Sequence, residues 1–117
     1  MKKENIIADK TFRFSLEIIS LFKELKSENE FIISKQLLRS GTSIGANVEE
    51  AIAAQSRKDF INKMSIASKE ARETKYWLRL LSHSELTEIN VDSHLNEIEH
   101  IINIITKIII TTKTKIT

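Results

Sequence analysis

The sequence predicts an all-α fold made of a few long helices joined by short connections. Proline is absent and glycine occurs only twice among 117 residues, whereas folds that contain sheets use many of both in their turns. Apolar residues recur at intervals of three and four along most of the chain, which is the spacing of one helix face and not of a strand. At this length we expect one domain, residues 1–117, with a single hydrophobic core.

Helix one is predicted over about residues 9–26, with Asp9 placed to cap its amino end. It carries two apolar stripes, of which one is Phe12, Leu16 and Ile19, and the other is Phe14, Ile18, Leu21 and Leu25. A helix on the outside of a monomeric bundle needs only one such stripe. We therefore expect helix one to touch more than one neighbour, with Phe14, Ile18 and Leu21 of the second stripe contacting another subunit.

Helix two is predicted over about residues 30–55, after Ser27 and Glu30, whose S-x-x-E spacing is that of a capping box. Its weak point is the segment SGTSIG at residues 40–45, since a glycine inside a helix costs about 1 kcal/mol relative to alanine. One alternative is a helix break, with a restart capped at Asn47. A phosphate-binding loop is disfavoured because the lysine and the strand of that motif are missing. We favour a continuous helix in which Gly41 and Gly45 lie one turn apart and let helices two and three approach closely.

A polar stripe runs beside these glycines. It consists of Arg39, Ser43, Asn47 and Glu50. An antiparallel hairpin of helices two and three brings Arg39 close to Glu70 and Glu73, and it brings Glu50 close to Lys63. We interpret these residues as hydrogen-bonded or ion-paired contacts that set the register of the bundle. A direct ligand site is the alternative.

Helix three is predicted over about residues 57–81, with Ser56 as its N-cap and Asp59 in its first turn. Its core seam is Phe60, Met64, Ala67, Ala71, Thr74, Leu78 and Leu81. One flank of this seam carries the large apolar residues Ile66, Trp77 and Leu80. These side chains would be costly to leave in water, so we expect the flank to meet another helix or another subunit.

The other flank of helix three is basic and carries the only feature that points to a molecular function. Residues 57–81 hold seven basic and three acidic side chains, whereas the whole chain has a net charge of only +2. Lysine and arginine at helical spacing can follow a phosphate backbone, and a tyrosine among them can stack on an unpaired base. The predicted nucleic-acid-binding residues are Arg57, Lys58, Lys69, Arg72, Lys75, Tyr76 and Arg79. The alternative is an ordinary solvated face.

Helix four is predicted over about residues 91–112, capped by Asn90 or Asp92. Its seam is Val91, Leu95, Ile98, Ile102, Ile105 and Ile109, and further isoleucines widen it. We expect the last five residues to fray. The most apolar segment, residues 101–110, is about half as long as a membrane span requires, so no membrane association is expected.

No catalytic or metal-binding constellation is recognisable in the sequence. There is no cysteine, and His83, His94 and His100 do not have the spacing of a metal site. A single Glu97-x-x-His100 falls short of the two motifs that di-iron bundles require. We therefore expect a non-enzymatic protein with no cofactor. The lack of cysteine and of a signal-peptide h-region favours the cytoplasm.

Two segments, LLRSGTSIGANVEEA at residues 37–51 and SRKDFINKMSIASKEARETKYWLRLL at residues 56–81, carry a family resemblance. They closely resemble the bacterial 23S rRNA intervening-sequence protein family and the related accessory variability proteins of diversity-generating retroelements. The family's motif positions correspond here to Arg39, Ser43, Asn47, Glu50, Ser56, Asp59, Phe60, Glu70, Arg72, Glu73 and Trp77. Many members have a proline where this chain has Ile44-Gly45-Ala46, so the resemblance leaves a kink there in doubt.

The resemblance implies an up-down-up-down four-helix bundle that assembles into a ring-like homopentamer with a positively charged surface. It also implies nucleic acid and, by analogy with the accessory variability proteins, a reverse transcriptase as partners. Our leading hypothesis is therefore an oligomer that binds RNA or DNA through phosphate contacts. The alternative is a structural or adaptor protein that acts through protein contacts alone.

Overall fold

The computed structural model describes residues 3–116, which form four long helices and no strand. The helices are α1 (Lys3–Ser27), α2 (Ile32–Ile52), α3 (Arg57–Ser84) and α4 (Asp92–Ile116). Each helix packs against the next in the chain and α4 returns to α1, giving a bundle of 49 × 24 × 21 Å. The predicted all-α four-helix bundle is confirmed.

The ends of α1 and α4 lie beyond the predicted bounds. Because α1 begins at Lys3, Asp9 is inside the helix and is paired with Arg13 at 3.2 Å instead of capping the helix. The predicted end of helix four at about Thr112 is wrong, since α4 continues to Ile116. Thr117 lies outside the described residues.

The link between α1 and α2 does not use the predicted capping box. Ser27 is the last residue of α1 and donates its hydroxyl to the Glu24 carbonyl at 2.6 Å. The Glu30 carboxylate alone caps α2, accepting the amides of Ile32, Ile33 and Ser34 at 2.7 to 3.0 Å. A carboxylate there satisfies amides that have no partner within the helix and suits the helix dipole.

The glycine segment of α2 is continuous helix, as favoured from the sequence, but it faces α1 and not α3. A Cβ atom on Gly41 would lie 2.9 Å from both γ carbons of Ile18. A Cβ atom on Gly45 would lie 3.3 Å from the backbone carbonyl oxygen of Thr11. The prediction that the glycines bring α2 close to α3 is therefore corrected. Ala67, Ala71 and the buried Ser40 allow that second approach instead.

Residue size also explains why α1 and α4 approach each other less closely than the other neighbouring pairs of helices do. Their buried faces carry large side chains, among them Phe14 on α1 and Ile98, Ile101 and Ile105 on α4. Branched and aromatic side chains hold two helix axes further apart than glycine or alanine does. A long open cleft consequently runs between α1 and α4.

The structure buries the apolar stripe of α1 that we expected at a subunit contact, and it leaves much of the other stripe exposed. Phe14, Ile18 and Leu21 are at most 3 % exposed and belong to the core of the protomer, so their assignment to a subunit contact is wrong. Phe12 and Leu16 of the other stripe are 61 % and 51 % exposed. Periodicity shows that a helix has two apolar faces, but it does not show which one the bundle covers.

None of the helices in residues 3–116 combines the length and the apolar character that a membrane crossing requires.

Candidate nucleic-acid interface

The outward face of α3 carries four exposed basic side chains. Ser56 caps α3 as predicted, its hydroxyl oxygen accepting the Asp59 amide at 3.1 Å. From there the exposed side chains follow one face of the helix over about 30 Å. They are Lys58, Lys69, Arg72, Tyr76 and Arg79, and we call them the α3 stripe.

The structure separates the cations of α3 into paired and unpaired groups. Lys63 is paired with Glu50 of α2 at 2.9 Å, and Lys75 is paired with Glu99 of α4. Arg57 donates to the Lys115 carbonyl at 2.9 Å. Among the described residues, the four cations of the α3 stripe have no ion pair. The predicted residues Arg57 and Lys75 therefore lie at its margins, with side chains directed to α4.

Beside the α3 stripe, α2 and α3 are joined by ion pairs that the sequence predicted. Arg39 is bonded to Glu70 at 3.2 Å and to Glu73. The remaining members of the polar stripe, Ser43 and Asn47, bond to carbonyls one turn back in α2, at 2.6 and 2.8 Å. These contacts favour the structural interpretation of the polar stripe over a ligand site.

One buried polar contact in this hairpin was missed. The hydroxyls of Ser40 and Thr74 share a hydrogen bond of 2.9 Å between α2 and α3, and both residues are fully buried. Thr74 stood in the predicted core seam, and Ser40 was assigned only to the glycine segment. The signal that could have found the pair is a hydroxyl on each helix at facing core positions.

Tyr76 stands out within the α3 stripe because an aromatic neighbour holds it. Its ring meets Trp77 edge to face, with centroids 5.3 Å apart and planes at 68°. The Trp77 indole N–H donates to the Glu73 carboxylate at 3.0 Å, and Arg39 bonds the same carboxylate oxygen. Tyr76 remains 52 % exposed. The ring therefore has one aromatic contact within the protein, and about half of the side chain is open to solvent.

Comparison with known proteins shows the family. A model described as 23S rRNA-intervening sequence protein matches residues 3–107. The chain belongs to the 23S rRNA-intervening sequence protein family. It is also similar to a crystal structure from Bacteroides thetaiotaomicron of a protein with unknown function from the S23 ribosomal protein family. The two chains are 49 % identical, with a TM-score of 0.87, over 92 % of this chain and 98 % of that one. A comparison with curated proteins gives no match.

In this intervening-sequence protein, two strips of apolar side chains reach the surface. The first lies along α1 and α2, where Phe12, Leu16 and Ile19 line a groove of about 320 Å³ with Gly45 and Ala46. The second follows the α2 side of α3, where Ile66 is 41 % exposed, and Trp77 and Leu80 are half-buried. The two strips lie on either side of α2.

The histidines lie away from the α3 stripe, apart from His83 at its end. His94 and His100 line the cleft between α1 and α4 beside Glu97, and the Glu97 carboxylate is paired with Lys10 at 3.1 Å. The His83 Nδ1 atom lies 2.9 Å from the Arg79 carbonyl. Within residues 3–116, no three histidine or carboxylate side chains converge as ligands of a metal ion.

Proposed function

We propose that this protein is a non-enzymatic, homo-oligomeric nucleic-acid-binding protein of the cytoplasm, and that its α3 stripe contacts the phosphates of RNA or DNA. The observation that carries the proposal is a row of four cations on one exposed helix face, none of which has an ion pair within residues 3–116. Each phosphate that such a cation neutralises releases condensed counterions, which favours binding without reading the base sequence.

The ion pairs around the α3 stripe support this assignment. Lys63 and Lys75, the cations at the two edges of α3, are paired with Glu50 and Glu99. Glu70 and Glu73 of α3 are paired with Arg39 of α2. These four carboxylates are therefore used within the bundle, while the cations of the stripe face solvent. This division leaves a positive field on one side of the molecule.

Assembly of several protomers would bring several copies of the α3 stripe into one particle and strengthen its positive field. We propose a homopentameric ring, the number five coming from the resemblance to the accessory variability proteins. Exposed apolar strips on both sides of α2 support a contact in which the first strip of one protomer meets the second strip of the next. A head-to-tail contact of this kind closes a ring when the rotation between successive copies divides a full turn, and it extends a helical filament otherwise.

The test is binding of a labelled RNA by the wild type and by a variant with Lys69, Arg72 and Arg79 all changed to Glu. We expect the variant to lose most of the affinity at low salt, as measured by fluorescence anisotropy. A matched control changes three exposed lysines on the other helices, Lys23, Lys35 and Lys107, to Glu. It removes the same charge but leaves the α3 stripe intact, so it should retain more of the binding.

Equal losses in the two variants would show that net charge alone acts and would overturn the assignment to α3. An oligomer that binds no RNA or DNA even at low salt would support the second candidate function, an adaptor that contacts only proteins. The exposed apolar strips are the observation that favours this candidate.

A further inference from the structure

We propose that the α3 stripe takes single-stranded nucleic acid in preference to duplex, and that Tyr76 is the residue on which an unpaired base stacks. This inference rests on the proposed function and names the form of nucleic acid that the site accepts. The structural basis is the juxtaposition of a half-exposed aromatic ring with cations before and after it on one helix face.

The position of Tyr76 suits a strand that runs along α3. Arg72 is one turn before it and Arg79 is almost one turn after it, so the two cations lie about 6 Å and about 4.5 Å away along the helix axis. A backbone bound by these two arginines would pass directly over the tyrosine. An unpaired base attached to that backbone can then turn toward the ring.

The ring already packs against a neighbour before any ligand arrives. Trp77 contacts it edge to face, and the indole N–H is fixed by Glu73, which Arg39 fixes in turn. A tyrosine that is free to rotate would lose conformational freedom on stacking, whereas one already held by packing loses less. The ion pairs between α2 and α3 thereby position the proposed binding surface as well as join the two helices.

Duplex nucleic acid cannot use this ring. Within a duplex the faces of each base are covered by the neighbouring base pairs, so a side chain on a straight helix meets only phosphates, sugars and base edges. The bases of a single strand expose their faces, and stacking on an aromatic residue tolerates any sequence because every base has such a face. The phosphates contribute to both forms, so the tyrosine is what distinguishes them.

The experiment compares three proteins on two ligands. Wild type, Tyr76→Ala and Tyr76→Phe are titrated with a labelled single-stranded RNA and with a duplex of the same length at one salt concentration. We expect Tyr76→Ala to weaken single-strand binding on the order of tenfold and to leave duplex binding unchanged. Tyr76→Phe keeps the ring and should bind as the wild type does.

A second readout comes from Trp77, which is the only tryptophan of the chain. Because its ring contacts Tyr76, a base stacked on the tyrosine should change the tryptophan fluorescence, and a bound duplex should change it much less. Circular dichroism serves as the folding control. Tyr76 is half exposed, so neither substitution is expected to alter the helix content.

The outcomes separate this inference from the proposed function. If the triple Glu variant loses binding while Tyr76→Ala binds single strands as tightly as the wild type does, phosphate binding by the α3 stripe is supported and the stacking proposal is overturned. Equal affinity of the wild type for duplex and single strand also overturns it. If the wild type binds neither ligand at low salt, both proposals fail together.

Discussion

Gly41 is the residue at which packing overrides helix propensity. Alanine there would gain about 1 kcal/mol of propensity, but its Cβ atom would lie 2.9 Å from two carbons of the fully buried Ile18. Overpacking of this kind costs about 1 to 3 kcal/mol. We expect Gly41→Ala to lower the free energy of unfolding by about 1 kcal/mol net, measured by urea denaturation.

The matched control is Ala46→Gly, at an exposed position of α2. In the protomer it should also lower the free energy of unfolding by about 1 kcal/mol, because Ala46 lies outside the core and helix propensity dominates there. Alanine would thus be favoured at residue 46 and disfavoured at residue 41. A stabilised Gly41→Ala protein would contradict the close approach of α1 and α2.

Arg39 is the residue that neutralises two neighbouring carboxylates. Its removal leaves Glu70 and Glu73 close together and only partly exposed, without their cation. We expect Arg39→Ala to cost about 1 to 2 kcal/mol in urea denaturation. Arg13→Ala breaks a more exposed pair with Asp9 and should cost less than about 0.5 kcal/mol. Similar costs for the two variants would show that Arg39 has no special role in the register of α2 and α3.

At the scale of one element, the start of α2 depends on Glu30. Glu30→Ala removes the acceptor of three amides and should lower the free energy of unfolding by about 1 to 2 kcal/mol. Ser27→Ala is the control. The Ser27 hydroxyl bonds within α1, so its loss should have little effect. Comparable losses in the two variants would indicate that Ser27 and Glu30 do form the capping box that the sequence pattern predicted.

The sequence predicted the presence and order of the helices because apolar spacing and connections are local properties of the chain. Ser56 as the cap of α3 and the continuity of α2 follow from interactions within a few residues. The pairing of Arg39 with Glu70 and Glu73 was also predictable, since a short antiparallel hairpin fixes its own register.

What could not be predicted depends on which helices become neighbours. The glycines of α2 and the two stripes of α1 each allow more than one partner. Only the assembled bundle shows that Gly41 meets Ile18, and that Phe12, not Phe14, reaches the surface. The same holds for the α3 stripe. Composition alone does not show that Lys75 has its own carboxylate partner while Lys69 and Arg72 have none among the described residues.

At the scale of the whole molecule, the exposed apolar strips predict a self-association that can be broken without unfolding the protomer. Phe12→Ser combined with Leu16→Ser should leave the helix content unchanged, because both side chains lie outside the core. The variant should scatter light as a 13.5 kDa protomer while the wild type scatters as an oligomer.

The control for this prediction changes Leu86 and Ile110 to Ser. These residues are also more than half exposed but lie outside both strips, so the control should assemble as the wild type does. A wild type that is monomeric at micromolar concentration would contradict the assembly. If the variant with Phe12 and Leu16 both changed to Ser still forms the oligomer, the subunit contact lies elsewhere.

The central claim is that the α3 stripe binds phosphates, and the salt dependence of RNA binding tests it most directly. For a single-stranded ligand, the logarithm of the association constant should fall linearly with the logarithm of the salt concentration, by about 0.7 for each phosphate neutralised. With Lys69, Arg72 and Arg79 changed to Glu, the slope should be shallower by about two for each engaged protomer. An unchanged slope in that variant, or no binding by the wild type at low salt, would contradict the claim.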